Sequence, residues 1–389
     1  MPIRPRIPPH VPTPRCHQIN LQRGFLGGEV YTVFLTRALT ALGCPVTLYV
    51  SSFNSRWDGI ALPGVDLVKI SGPEYLGAVL PRKRSWILTN GPVPAEEIRR
   101  IGLSHLLTGF CHMPMYERDV SAFAPYHMVF PVSDYVRRSL IGGGLSNVYQ
   151  EPFWGVAEFD RDTRAPAGPV SSHSPYSWDR RKLRDVLLGA LEPAYRALLP
   201  QRAFFRRPGT TLGIVSGIGP IKQFPLLFSH IAPRIAHNPG IVVEIFGFGG
   251  YAQVRELERS LAPLRNRVRF WGRQEHPERI YPQLDYVLSG LPDKEALGLN
   301  IIESQVCGTP VLAVRAPPFT ETVADRRSGY LYRDPREDAG ADFARVLEMA
   351  IAAPRLDPRA AADHLARFSF DAYKERVARM LQAVSARPL

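Results

Sequence analysis

Apolar and polar positions along this chain switch repeatedly between two periods, and the switching predicts strands interleaved with helices. Short apolar, β-rich runs occur at Val46–Val50, Val65–Ile70, Trp86–Thr89, His105–Phe110 and His127–Pro131. A second set falls at Thr211–Ser216, Ile241–Phe246, Val268–Trp271, Tyr286–Ser289 and Pro310–Val314. Between Glu29 and Leu42, the residues Val30, Phe34, Leu35, Ala38, Leu39 and Leu42 recur at helical spacing, and Gly43 follows as a stop. Further helices are expected from Tyr251 to Leu264 and from Ser369 to Ala386. Leu183, Val186, Leu187, Leu191, Tyr195 and Leu198 form another stripe at helical spacing, read as the core-facing side of a helix. Strands alternating with helices in two successive halves imply an α/β chain with two doubly wound parallel sheets.

The pattern also sets the expected boundaries. Residues 1–14 form a Pro-rich tail and residues 15–200 a first Rossmann-like domain, with a Pro-, Ser- and Gly-rich linker near 161–177. Residues 207–368 form the second Rossmann-like domain, and residues 369–389 a C-terminal helix. The longest apolar stretch, Val30 to Val50, is interrupted by Arg37 and Pro45, so no segment reads as a membrane span. The N-terminus lacks the apolar core of a secretory signal, which makes a cytoplasmic protein the expectation.

Composition changes this picture little. Apolar residues at 45% and charged residues at 22% of 389 are ordinary for a globular chain and exclude collagenous or disordered classes. Cys16, Cys44, Cys111 and Cys307 are scattered, with no CxxC pair, so neither a disulfide framework nor a zinc site is expected. The net charge of +12 is shared evenly by the two halves. Its tight clusters, Arg82–Arg84 and Arg180–Arg184, carry no interleaved stacking aromatics. They read as solvated faces rather than a nucleic-acid surface, with peripheral contact at the inner face of a membrane as a secondary expectation.

Four places combine glycine, charge and a strand end, where parallel sheets bind ligands and helix N-termini offer free N–H groups to phosphate. Gly24-Phe25-Leu26-Gly27-Gly28-Glu29 opens the first helix, and its backbone could approach a phosphate or sugar; a tight turn without a ligand is the alternative. Gly247-Phe248-Gly249-Gly250-Tyr251-Ala252 fits the dinucleotide pattern formally, but no acidic residue closes the next strand, where Gly272-Arg273-Gln274 follows Trp271. Ser216–Gln223 places Lys222 at a strand-to-helix turn, suited to neutralise a diphosphate as a point charge. Glu295-Ala-Leu-Gly-Leu-Asn-Ile-Ile-Glu303 sets two carboxylates eight positions apart on one helical face, suited to accept hydroxyl donors from a sugar or ribose.

The last of these carries a resemblance. The pattern E-x7-E-x4-G-x-P-V from Glu295 to Val311, continuing to Glu321 and Gly329, resembles the signature of retaining family-4 glycosyltransferases of the GT-B fold, the glycosyltransferases of group 1. Other landmarks fall in that family's order: Gly27-Gly28-Glu29, Ser133, Gly155-Val156, Lys222 and Phe270-Trp271-Gly272. The resemblance implies two Rossmann-like domains facing across a cleft, with the nucleotide sugar held mainly by the second. It implies that Lys222 pairs with the donor diphosphate, that Glu295 holds donor-sugar hydroxyls and that Glu303 holds the ribose. Backbone N–H groups at Leu297, Gly298 and Leu299 would face sugar and phosphates, His112 would stand near the donor sugar, and the Gly27-Gly28 loop would approach phosphate and acceptor. No metal or cofactor is implied, and the chain has no DxD motif.

One position departs from the family. Gly217 stands where an arginine is usual, five residues before the lysine, and Arg273 is the candidate replacement cation. The expected function is retaining transfer of a sugar from a nucleotide diphosphate sugar to a hydroxyl acceptor. The alternatives are a non-catalytic nucleotide-sugar-binding protein of the same fold, suggested by Gly217, and an NAD(P)-dependent oxidoreductase using Gly247–Ala252.

Overall fold

The structure, a computed structural model, describes residues 13–24, 27–157, 169–179, 182–197 and 203–388. Its contacts divide the chain into two units, one comprising the residues up to Val156 together with those from Arg367 onward, the other Ala157–Ala366.

The first unit is built on a six-stranded parallel sheet of β1 (Cys16–Asn20), β2 (Val46–Ser51), β3 (Val65–Ile70), β4 (Trp86–Thr89), β5 (Leu106–Cys111) and β6 (Met128–Pro131). The spatial order is β3-β2-β1-β4-β5-β6, so the sheet reverses direction between β1 and β4. Helix α1 (Gly27–Ala41) follows β1, and Gly43 ends it in the left-handed region at φ 76°. Helices α2 (Ala95–Ser104) and α3 (Asp134–Gly142) follow β4 and β6, and the Ser133 side chain caps α3 by accepting from the Val136 N–H.

In the second unit, helix α4 (Leu183–Ala197) precedes a second parallel sheet. Its strands are β7 (Thr210–Val215), β8 (Ile241–Phe246), β9 (Val268–Phe270), β10 (Tyr286–Leu288), β11 (Val311–Val314) and β12 (Gly329–Tyr332). The order is β12-β11-β10-β7-β8-β9, the same winding as in the first sheet, with the reversal between β7 and β10. Helices α5 (Phe224–Ile235), α6 (Tyr251–Ser260), α7 (Leu299–Val306) and α8 (Ala341–Ala352) belong to this unit. Its core of Leu, Ile, Val and Phe is continuous across the sheet. At the β8–β9 edge the fully buried Glu244 accepts from Arg207, Arg269 and the Trp271 indole, a buried charge satisfied on both oxygens.

The strands read from the apolar runs are present with ends shifted by a residue or so, and two strands come in addition. Strand β1 escaped the pattern because His17, Gln18 and Asn20 interrupt it; Gln18 and Asn20 are buried and hydrogen-bonded to Thr36 and Thr32 of α1. Strand β12 is four residues behind a turn and offers too short a run.

Two boundaries differ from the sequence reading. The segment read as the end of the first domain, through residue 200, contributes its described part, including α4, to the second unit: His173 N–H donates to the Trp271 carbonyl and Ser177 N–H to that of Gly249. The C-terminal helix α9 (Phe370–Ser385) belongs to the first unit, where Tyr373 packs edge-on against Tyr31 and Arg376 donates to the Trp154 carbonyl. The Pro-rich tail to residue 12 and residues 161–168 of the expected linker lie outside the described residues.

The stripe on α4 is the clearest reversal. Leu183, Val186, Leu187, Leu191 and Tyr195, expected to face a core, are all exposed. Leu198 lies outside the described residues. The inward side of α4 is polar instead, with Asp185 buried and Glu192 accepting from the Trp178 indole N–H.

Candidate active site

In each sheet the polar residues gather where the strand order reverses, at the carboxyl ends of the two diverging strands. That is the usual ligand position in such sheets.

In the second unit the diverging strands are β7 and β10. Beyond β7 the chain turns through Ser216–Gln223, the Lys222 N–H donating to the Gly219 carbonyl at 3.1 Å, and Gln223 takes a left-handed conformation before α5 starts. Beyond β10 the chain passes Gly290, where a Cβ would stand 1.9 Å from the Lys222 carbonyl oxygen. Only glycine fits so close to another backbone, and the Leu291 N–H donates to that same carbonyl at 3.1 Å. This approach fixes Lys222 over the reversal point.

The Lys222 ammonium donates to Glu295 Oε2 and, at 3.4 Å, to Asn300 Oδ1. The other oxygen of Glu295 accepts from the N–H groups of Ala296 and Gly298, both at 3.2 Å. Gly298 has φ 80° and precedes Leu299, the first residue of α7, and a Cβ there would be strained and only 3.3 Å from the Phe319 ring. Burial pushes the Glu295 carboxyl up, but Lys222 and the loop N–H groups outweigh it and hold it below the ordinary glutamate value. The carboxylate therefore sits where an anionic ligand would, against a cation and a helix N-terminus.

One turn and more along α7, Glu303 Oε2 accepts from the buried Tyr281 hydroxyl at 2.8 Å. Burial raises this carboxyl, and Tyr281 and Lys222 offset it only in part. Lys222, Glu295, Leu297, Gly298, Leu299 and Glu303 thus form one cluster. Gly217 and Arg273 form a second group through Phe248. The Arg273 guanidinium lies over the Phe248 ring, 5.2 Å from its centre, and the Phe248 carbonyl is the nearest atom to a Cβ on Gly217, at 4.0 Å.

The glycines of the dinucleotide-like run have a packing role. A Cβ on Gly247 would lie 1.9 Å from the Ser216 carbonyl oxygen, and one on Gly249 2.0 Å from that of Ile218. They let the loops after β7 and β8 run side by side, with the Ile218 N–H donating to the Phe248 carbonyl at 2.8 Å.

In the first unit the diverging strands are β1, which ends at Asn20, and β4, which Asn90 follows; His112 follows β5. Thr32 donates its single hydroxyl proton to the Gly28 carbonyl at 2.9 Å. It therefore accepts from the amide groups of both Asn20, at 2.7 Å, and Asn90, at 2.5 Å. The Asn90 Oδ1, turned the other way, takes the proton of His112 Nε2 at 2.5 Å, which leaves Nδ1 with its lone pair. Burial pushes the His112 pKa down to about 4, so the ring is neutral near pH 7. Gly28, with no atom within 4 Å of a Cβ position, opens α1 and is joined to His112 by this chain of bonds.

Sequence reasoning did not single out Asn20, Thr32, Asn90, Tyr281, Gly290 or Asn300. Asn300 lies inside the paired-glutamate motif and was legible there; the others carry no local signal, because the sheet reversal brings them together from distant strands. Among the described residues, no group of three or more His, Cys, Asp or Glu could hold a metal ion, and no helix is long and apolar enough to cross a membrane.

Known proteins bear on this arrangement. Residues 209–351 match the family model described as glycosyl transferases group 1. D-inositol 3-phosphate glycosyltransferase of Segniliparus rotundus is 29% identical over 237 residues, 56% of this chain and 51% of that protein. That of Mycolicibacterium smegmatis is 34% identical over 178 residues, 43% of this chain and 39% of that protein. The chain thus matches about half or less of the length of these curated relatives. Among solved structures, Anabaena HepE in complex with UDP and glucose superposes with a TM-score of 0.65 at 15% identity, covering 95% of this chain and 100% of that one. Sucrose-phosphate synthase from Thermosynechococcus elongatus gives 0.66 at 16% identity, covering 96% and 99%. Residues 209–351 are thus similar to the glycosyl transferases of group 1, and the two sheets have the GT-B fold.

Proposed function

We propose that this chain transfers a glycosyl group from a nucleotide diphosphate sugar to a hydroxyl acceptor, with retention at the anomeric carbon and without a metal ion. The observation that carries the reading is the Lys222–Glu295 pair at the β7–β10 reversal, with Glu303 farther along the same helix. The donor diphosphate takes Lys222 as its counter-ion. Glu295, released from the lysine, then accepts hydroxyl donors of the sugar, and Glu303 accepts those of the ribose.

In the reacting complex the acceptor oxygen bonds to the anomeric carbon as the carbon–oxygen bond to the β-phosphate breaks. The electron pair leaves with the diphosphate, and the acceptor proton passes to a phosphate oxygen on the same face. Negative charge grows on the leaving group beside Lys222 and the α7 N-terminus, so these groups stabilise the transition state more than the ground state. In the first unit, neutral His112 offers Nδ1 as a hydrogen-bond acceptor to a hydroxyl, and Asn90 and Thr32 link its ring to the Gly28 carbonyl. HepE, solved with UDP and with UDP-glucose, makes uridine diphosphate sugars the first donors to try. The inositol-phosphate relatives favour a polyol hydroxyl as acceptor. A cytoplasmic location, where nucleotide sugars are made, accords with this chemistry.

The test is acceptor-dependent release of nucleoside diphosphate from a panel of UDP- and GDP-sugars, run with and without a chelator. Turnover unaffected by chelation and an α-linked product from an α-linked donor are expected. Strict dependence on a divalent ion contradicts the metal-free step, and nucleotide-sugar binding without turnover leaves a binding protein of the same fold.

A further inference from the structure

The Lys222 ammonium has a second acceptor besides Glu295. Asn300, the second residue of α7, brings its Oδ1 to 3.4 Å from Nζ across 78 residues of sequence. Glu295 reaches the lysine from the loop before α7 and Asn300 from the helix itself, so the cation is held between the two. An ammonium only donates, so the amide atom that faces it is the oxygen, and this fixes which way the amide is turned. Nδ2 is therefore the end turned away from the lysine. It carries two protons, and among the described residues neither has an acceptor. Asn300 is only half-buried, which leaves these protons open to a ligand.

The surroundings of these protons select what they meet. Helix α7 begins with N–H groups that no carbonyl of the helix can satisfy, and Gly298 before it has no side chain to cap them. The Asn300 amide thus lies beside a cation and at the positive end of a helix, a combination that favours an anion. Oδ1 and Nδ2 share one carbon, so an anion with several oxygens that takes a proton from Lys222 is within reach of Nδ2 as well. We propose that Asn300 is a further diphosphate-binding residue, its Nδ2 donating to a phosphate oxygen while its Oδ1 keeps hold of Lys222. This rests on the glycosyl-transfer reading and adds a contact that the reading does not use. The two acceptors of the lysine part company when the diphosphate arrives. Glu295 carries a charge that repels phosphate and is drawn off to sugar hydroxyls. Asn300 is neutral and stays, so the lysine keeps its place over the strand reversal after Glu295 has turned away.

Titration of the full chain with UDP and GDP, and with uridine and guanosine, tests it. The wild type should bind one of the diphosphates more tightly than its nucleoside. Asn300→Ala should weaken binding of that diphosphate about tenfold, the worth of a hydrogen bond to a charged group. It should leave the affinity for the nucleoside at the wild-type value, because the nucleoside has no phosphate for Nδ2 to meet. The melting temperature should hold, since the side chain is half-buried and alanine is the strongest helix former. The Lys222→Ala background separates contact with the ligand from support of the lysine: Asn300→Ala should still cost severalfold in diphosphate affinity there. Equal diphosphate affinity in the wild type and Asn300→Ala, an equal loss for the nucleoside, or a loss that vanishes in the Lys222→Ala background overturns the proposal and leaves the donor site standing. A wild type that binds neither UDP nor GDP overturns the glycosyl-transfer reading, and this contact with it.

Discussion

Lys222 and Glu295 are each other's partner across 73 residues of sequence, the ammonium of one held by the carboxylate of the other at the point where the second sheet reverses. A diphosphate must therefore compete with Glu295 for the lysine. Lys222→Ala should weaken nucleotide binding by about 1.5–3 kcal/mol, the worth of a charge-assisted hydrogen bond. Glu295→Gln should behave differently. It removes a negative charge beside the phosphate site, so the bare nucleoside diphosphate should bind as well as before or tighter. The nucleotide sugar should lose affinity and turnover. Calorimetric titration with both ligands separates these outcomes, and equal losses for the two would show that Glu295 does not distinguish sugar from phosphate.

Gly290 sets the position of that lysine. Its missing side chain leaves room for the Lys222 carbonyl, which a Cβ would approach to 1.9 Å. Gly290→Ala must push the Ser216–Gln223 turn away from β10, an overpacking cost of about 1–3 kcal/mol. Nucleotide affinity should fall with stability, although residue 290 contributes no side chain to a ligand. Wild-type melting and wild-type affinity in this variant would show that the turn can move without consequence.

Much of the fold was legible in the sequence, because ten of the strands are apolar runs bounded by turn residues and need no tertiary information. Lys222, Glu295 and Glu303 were legible for a different reason: the paired-glutamate motif and a lysine at a strand-to-helix turn are local patterns with a chemical meaning. Asn20, Thr32 and Asn90 were not, since each is an ordinary polar residue until β1 and β4 pair and bring them together. Helix α4 misled for the opposite reason. Its periodicity is strong, but periodicity reports that one face is apolar and not whether that face turns toward the protein.

His112 should leave a mark on the pH dependence of stability. Burial holds its folded pKa at about 4, below the ordinary value of 6.5. Between these values the unfolded chain binds a proton that the folded chain refuses, so stability must fall as pH drops from 6.5 toward 4. His112→Gln should flatten the stability curve over that window, measured by urea denaturation at closely spaced pH values. Asn90→Leu should lower turnover while leaving nucleotide affinity near wild type, because it frees the ring from the tautomer that Asn90 imposes. A loss of nucleotide affinity alone would place Asn90 in binding rather than in orienting the histidine.

Gly217 permits a gain of function to be sought. The space around it is open: its Cβ position meets only the Phe248 carbonyl at 4.0 Å, and its φ lies outside the left-handed region that would strain a side chain. The backbone thus gives no steric reason for glycine here, and a Cβ can be added without disturbing the turn. Arg273 is attached to the same group through the Phe248 ring, 5.2 Å from its guanidinium. If Arg273 supplies the second cation at the diphosphate, Arg273→Ala should lower donor affinity about ten- to a hundredfold, equivalent to 1.5–3 kcal/mol. Gly217→Arg should raise donor affinity or turnover in the wild-type background, and should restore much of the loss in the Arg273→Ala background. The rescue is the discriminating result, because two cations serving one phosphate are interchangeable in charge, whereas an Arg273 that only packs on Phe248 cannot be replaced from position 217. Should Gly217→Arg abolish nucleotide binding in a protein that still melts normally, the open space at that position belongs to the ligand, and the glycine is there to admit it.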